Sequence, residues 1–163
     1  MTEQTCLLAP LYKGWDVYQQ HLVHVLTPLS ADQLELRAAS HLRSVNVIAA
    51  HIIGARARWL YYVLEEKHSN LIVLGEWDDS GQPARSAAEL VRGLEETWQV
   101  IQGGLQRWTL ADLAEVFRDI DDDGAEEIFT RQWVIWHLIE HDLHHGGELS
   151  FALGMHGVAA IDL

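Results

Sequence analysis

The chain has 163 residues, 48% hydrophobic and 21% charged, the size and balance of one domain (residues 1–163) with a sizeable core. Eleven Lys and Arg against 24 Asp and Glu leave a formal charge of −13. Nucleic-acid backbones and anionic membranes are bound through basic residues, so neither is an expected partner. The single cysteine, Cys6, excludes an internal disulfide and a zinc site of several thiolates. The first residues lack the basic start and apolar core of a signal peptide, and no run approaches membrane-spanning length. The expected location is the cytoplasm.

Only three prolines occur, at 10, 28 and 83, none within an apolar periodic segment, which favours long helices. The spacing predicts a first helix over residues 10–27, with Leu11, Trp15, Tyr18, Leu22, Val25 and Leu26 on one face. A short helical piece starts at Ser30 and leads on to Ser40. A second long helix is expected over 44–64. A third, over 86–108, opens with Ser86 and Glu89, the pattern in which two side chains reciprocally satisfy free backbone donors. The fourth runs over 130–155 behind Thr130 as its cap. A Gly/Asp/Ser-rich loop spans 78–83, and an Asp123-Gly124 turn joins short strands over 117–120 and 127–129. Four amphipathic helices of this length predict an all-α four-helix bundle, with a short hairpin before the last helix.

Ten histidines raise the question of metal. His141 and His145 are four residues apart, so their rings project from one helical face about 40° apart. Val134, Leu138 and Ala152 share that face, which therefore points to the core. Two imidazoles so placed can reach a single divalent cation, and can equally be satisfied structural residues of a His-rich chain. His51 lies on an inward stripe of the second long helix with Val47, Ile48, Gly54 and Ala55, and offers a third ligand. Three neutral imidazoles would leave positions open to water or substrate, as in catalytic sites. His137, His144 and Glu148 lie close enough on the wheel to act as partners of the ligands or as alternative ligands.

Two passages carry a family resemblance. His51 ends Ser-Val-Asn-Val-Ile-Ala-Ala-His, and residues 136–149 read Trp-His-Leu-Ile-Glu-His-Asp-Leu-His-His-Gly-Gly-Glu-Leu. The chain resembles the DinB-like family of stress-associated four-helix-bundle proteins, through helix order along its whole length and most specifically through the second passage. Family members hold a divalent metal through one histidine of the second helix and two of the fourth, in a pattern near His-x-x-x-His-Arg-Gly-Gln/Glu. The resemblance implies His51, His141 and His145 as ligands, with Glu148 at the Gln/Glu position. Gly146 departs from the pattern, which carries Arg there. A Gly146-Gly147 pair inside a helix costs roughly 1 kcal/mol per glycine relative to Ala, and predicts a close neighbour or open cavity at that turn.

Some relatives are similar to bacillithiol- or mycothiol-using thiol transferases and to a mycothiol-dependent maleylpyruvate isomerase. The resemblance thus implies a metal that takes up a low-molecular-weight thiol cosubstrate and directs it at a small electrophilic substrate. Metal-water hydrolysis and a non-catalytic metal-binding stress protein are the alternatives. The expected metal is Zn or Ni, with Fe or Mn as alternatives, although imidazole donors suit Zn, Ni, Fe and Cu alike and do not select among them. Cys6, without a charged neighbour in sequence, reads as a packing residue. Arg58 and Tyr62 share the His51 stripe and are candidate substrate-binding residues. A buried Arg58 would need an anion, either a substrate carboxylate or an acidic side chain of a neighbouring helix. Residues 119–124 match the first half of a calcium loop, but Thr130 stands where a bidentate carboxylate is required, so the turn is preferred. The tryptophans read as core or as a subunit contact in a homodimer, with Trp77 a candidate lid.

Overall fold

The computed structural model describes residues 8–120 and 123–163. Cys6 and the Asp121-Asp122 part of the calcium-loop pattern lie outside them. The fold is mostly helical, with one two-stranded hairpin. Helix α1 spans Lys13–Leu26 and buries Trp15, Tyr18, Gln19, Leu22, Val25 and Leu26, at the spacing expected of it. The one-turn α2, Ala31–Leu34, is held by a reciprocal cap between Ser30 and Gln33 and stops there, short of Ser40. Helix α3, Val45–Arg58, starts behind Ser44 and passes into a wider π-helical turn over Trp59–Val63. A short α4, Ser69–Gly75, precedes the irregular segment that carries Asp78.

Helix α5, Ala87–Arg107, has the expected Ser86/Glu89 reciprocal cap. Strands β1, Val116–Ile120, and β2, Glu126–Thr130, pair antiparallel with Phe117 opposite Phe129. Gly124 takes the positive φ of 82° that their turn needs, a conformation glycine adopts without strain. Helix α6, Arg131–Gly154, is capped by Thr130.

Helix α3 is the central element, packing against α4, α5 and α6, while α1 packs on α5. It buries most of its circumference, Val45, Ile48, Ala49, Ile52, Ile53 and Ala57 among the buried residues, and leaves one strip with Val47 exposed and His51 and Arg58 half-buried. Burial on most sides is that of a core helix. Its small residues let its neighbours come close, which matters most at Gly54.

One polar network runs through this apolar interior. The Arg56 side chain is fully buried, as is that of Asp142 on α6. The guanidinium donates from Nε to Asp142 Oδ1 at 2.9 Å and from Nη2 to Oδ2 at 2.7 Å. Arg56 Nη1 also donates to Gln19 Oε1 at 2.8 Å, and Trp15 Nε1 donates to Asp142 Oδ2 at 2.6 Å. Gln19 Nε2 reaches the Leu94 carbonyl at 3.2 Å, and the Trp98 ring lies beside the guanidinium. Helices α1, α3, α5 and α6 are therefore tied at one level. A buried pair is costly to desolvate, and its loss is costlier when one charge stays behind. Asp142→Ala should destabilise the protein by about 3–5 kcal/mol in urea unfolding, and Arg56→Met with Asp142→Leu together should recover most of that.

Candidate metal centre

His141 and His145 stand one turn apart on α6, on either side of Asp142, and face α3 where His51 projects. His51, His141 and His145 each offer a ring nitrogen, and these nitrogens lie within 4.8 Å of one another. His51 Nε2 and His141 Nε2 are 3.2 Å apart. Two nitrogens on one tetrahedral zinc, each at about 2.0–2.1 Å, are separated by about 3.3 Å, so this spacing suits a shared cation.

Partners on the far ring edges orient two of the three rings. Asp78 Oδ2 accepts from His51 Nδ1 at 2.7 Å, and Glu148 Oε2 from His145 Nδ1 at 2.5 Å. A proton held on each Nδ1 leaves the Nε2 lone pair free, the usual arrangement behind a metal-binding imidazole. His141 Nδ1 is buried without a hydrogen-bond partner among the described residues. Two oriented rings and a third at ligand spacing fit a divalent cation.

Electrostatics favour the ligating form of His141 and His145. Burial, reinforced by His145, His51, His137 and Arg56, pushes the His141 imidazole down to about 3. Burial also lowers His145, outweighing the opposing hydrogen bond to Glu148. Burial alone would raise the Asp78 carboxyl, but hydrogen bonds from His51 and Arg58 hold it well below the usual carboxylate range. Glu148 is likewise lowered, burial being outweighed by the His145 hydrogen bond and the Arg43 charge.

Asp78, Arg43, Arg56 and Asp142 were not singled out in the sequence. Asp78 arrives from the segment after α4, 27 positions from His51, a relation that no spacing encodes. Gly54 makes room for it, since a Cβ there would stand 2.3 Å from Asp78 Oδ1 and 3.1 Å from Arg58 Nη1. Arg43 approaches His145 Nδ1 to 3.2 Å and donates to Glu148 Oε2 at 2.8 Å.

Among the remaining candidates, His137 stacks on Trp133 with ring centres 5.0 Å apart, near Trp59 and within 3.4 Å of Glu140 Oε1. It belongs to an aromatic wall above the three histidines. His144 is exposed and forms a second group of potential ligands with His145 and Glu148. Arg58, read as a partner for a substrate carboxylate, spends its guanidinium on Asp78 and on the Gly75 carbonyl. The acidic side chain of a neighbouring element is thus its anion. Tyr62 is exposed with its ring against Tyr61. Trp77, the candidate lid, packs on Gly93 of α5 under the Arg85 guanidinium and lines a cavity of about 350 Å³ beside Asp78, so it is a wall. Gly146 does have a close neighbour, because a Cβ there would stand 2.2 Å from the Tyr18 hydroxyl, whereas Gly147 faces open space.

A helical fold with a three-imidazole cluster between two of its helices defines a class of metal-binding proteins. The match to the DinB superfamily model over residues 15–149 places the chain in that family, and the family is metal-binding. The crystal structure of a DinB-like protein from Bacillus cereus ATCC 10987 superimposes with a TM-score of 0.75 at 20% identity, covering 98% of this chain and 99% of the other. A search of curated proteins returned no match. No helix among the described residues is long and apolar enough to cross a membrane.

Gly54→Ala should push Asp78 off His51 and weaken zinc binding by about tenfold or more in a competition titration, the usual scale for losing such a partner. The depressed His141 also sets a pH dependence in the metal-free protein. The unfolded chain protonates this imidazole near 6.5, whereas the fold resists protonation down to about 3. The unfolded state therefore binds more protons in that window, and stability falls as pH drops through it. In chelator-treated protein, His141→Gln should flatten the acid limb of stability against pH by up to about 1.4 kcal/mol per pH unit.

Proposed function

We propose that the chain is a metal-dependent enzyme of thiol-assisted transfer, built as a four-helix bundle of α1, α3, α5 and α6 around a His51, His141, His145 centre. The observation that carries this reading is the donor set: three imidazoles, two of them held by carboxylates on their far edges. No carboxylate or thiolate belongs to the set, so a bound cation would keep its full charge. Bound there, a divalent ion supplies a lowered pKa for a thiol or water that it ligates.

The chain's own groups then have defined tasks. Asp78 and Glu148 hold the His51 and His145 rings in the tautomer that presents Nε2. Arg58 keeps Asp78 ionised and fixed, and Gly54 gives that carboxylate its place. The Arg56–Asp142 pair sets α6 against α3, and with it the approach of the two His141 and His145 rings to His51. Cys6 has no charged neighbour in sequence, and the thiol in this reading is a small-molecule cosubstrate. Zn or Ni is the ion of this reading, among those that imidazole suits.

Protein purified without a nickel column should carry about one divalent ion per chain by elemental analysis. His51→Ala or His141→Ala should lose it, each removing one of three protein ligands. The loaded protein should then accelerate conjugation of a small thiol to an electrophile such as 1-chloro-2,4-dinitrobenzene, and a chelator should abolish the effect. Turnover of esters or amides without thiol would favour hydrolysis instead. Full loading with neither activity would leave a metal-binding protein.

A further inference from the structure

We infer that Arg43 is the anion-recognising residue of the centre, and that the substrate or cosubstrate carries a carboxylate a few bonds from the atom directed at the metal. The inference rests on the three-histidine reading above and adds a ligand class to it. Arg43 immediately precedes the Ser44 cap of α3 and lies four positions before Val47, which is four before His51. Val47 is 42% exposed, so this row from Arg43 to His51 is open to solvent. Across it stand His145 and Glu148 of α6. Arg43 Nη2 touches both, at 3.2 Å from His145 Nδ1 and 2.8 Å from Glu148 Oε2. The guanidinium is thus one imidazole ring away from the ligand nitrogens.

Two features separate this arginine from a merely structural one. Its side chain is 38% exposed, and an ion pair as open as Arg43–Glu148 contributes little to stability. Its Nε and Nη1 donate to no atom of the described residues, so N–H donors remain for a carboxylate. The charge balance points the same way. Around the histidines, Asp78 and Glu148 are matched by Arg58 and Arg43. Any dication therefore leaves the centre net positive in a chain of formal charge −13. An anion is the complementary visitor, and Arg43, which bonds through Nη2 alone, has more donors to spare than Arg58, which bonds through both Nη1 and Nη2.

A matched pair of metal-directed probes tests this without any assay of turnover. Acetohydroxamate and succinic acid monohydroxamate present the same head to the ion, and only the second has a distal carboxylate. Cobalt-loaded protein would be titrated with each and followed by its visible spectrum. The carboxylate-bearing probe should bind about tenfold tighter in the wild type, the scale of one charge-assisted contact at an open site. Arg43→Met should abolish the preference and leave acetohydroxamate binding and cobalt affinity close to wild type, while Arg43→Lys should keep part of it. Equal affinities in the wild type, or a preference that survives Arg43→Met, would overturn the inference. A loss of cobalt affinity in Arg43→Met with an unchanged probe ratio would also overturn it, by assigning Arg43 to holding Glu148. If acetohydroxamate itself leaves the cobalt spectrum unchanged, the centre has no open position, and the reading beneath the inference fails first.

Discussion

The pairing of Arg56 with Asp142 is the interaction from which the site follows. Both side chains are withdrawn from water, and each satisfies the other together with Gln19 and Trp15. An apolar contact between α3 and α6 would tolerate sliding or rotation by a residue. A planar guanidinium facing a carboxylate does not, because a shift leaves a buried charge unanswered. Asp142 lies between His141 and His145, and Arg56 lies five positions beyond His51. The geometry that satisfies the pair is therefore the geometry that brings three imidazoles together. A conformational demand of the core becomes a chemical property of the surface above it.

Above that pair the charges are arranged in balanced couples. Asp78 answers both His51 and Arg58, and Glu148 answers both His145 and Arg43. Each carboxylate serves an imidazole on one side and a guanidinium on the other. The imidazoles are thereby aimed, and the carboxylates stay ionised although partly withdrawn from solvent. A four-membered set of this kind leaves the charge of whatever the histidines hold uncompensated.

The parts of the fold legible in the sequence are those written in local periods. The long helices follow from apolar spacing and from the caps at Ser86 and Thr130, and the hairpin from its Asp123-Gly124 turn. Helix α4 escaped because Ser69–Gly75 is too short to show a period, and the π-helical turn after α3 left no mark in the spacing. In the site, His141 and His145 could be read because they share one helix face, and His51 because its stripe faces inward. Asp78, Arg43 and Arg56 could not be, since each acquires its meaning from a residue on another element. Arg58 illustrates the limit: its stripe was legible, but which anion it meets was decided by a distant loop. Gly54 reads as an ordinary small core residue until the carboxylate it shelters is known.

That shelter has a thermodynamic consequence. Asp78 belongs to an irregular stretch between α4 and α5, and its carboxylate grips both a ligand imidazole and Arg58. Ordering this stretch and strengthening the ligand field are then a single event, and linkage makes the relation reciprocal. An ion seated on His51 would tighten the 76–86 loop, and anything that stiffens the loop would raise the affinity for that ion. A crosslink or proline introduced there would act on the cation without touching any atom that binds it.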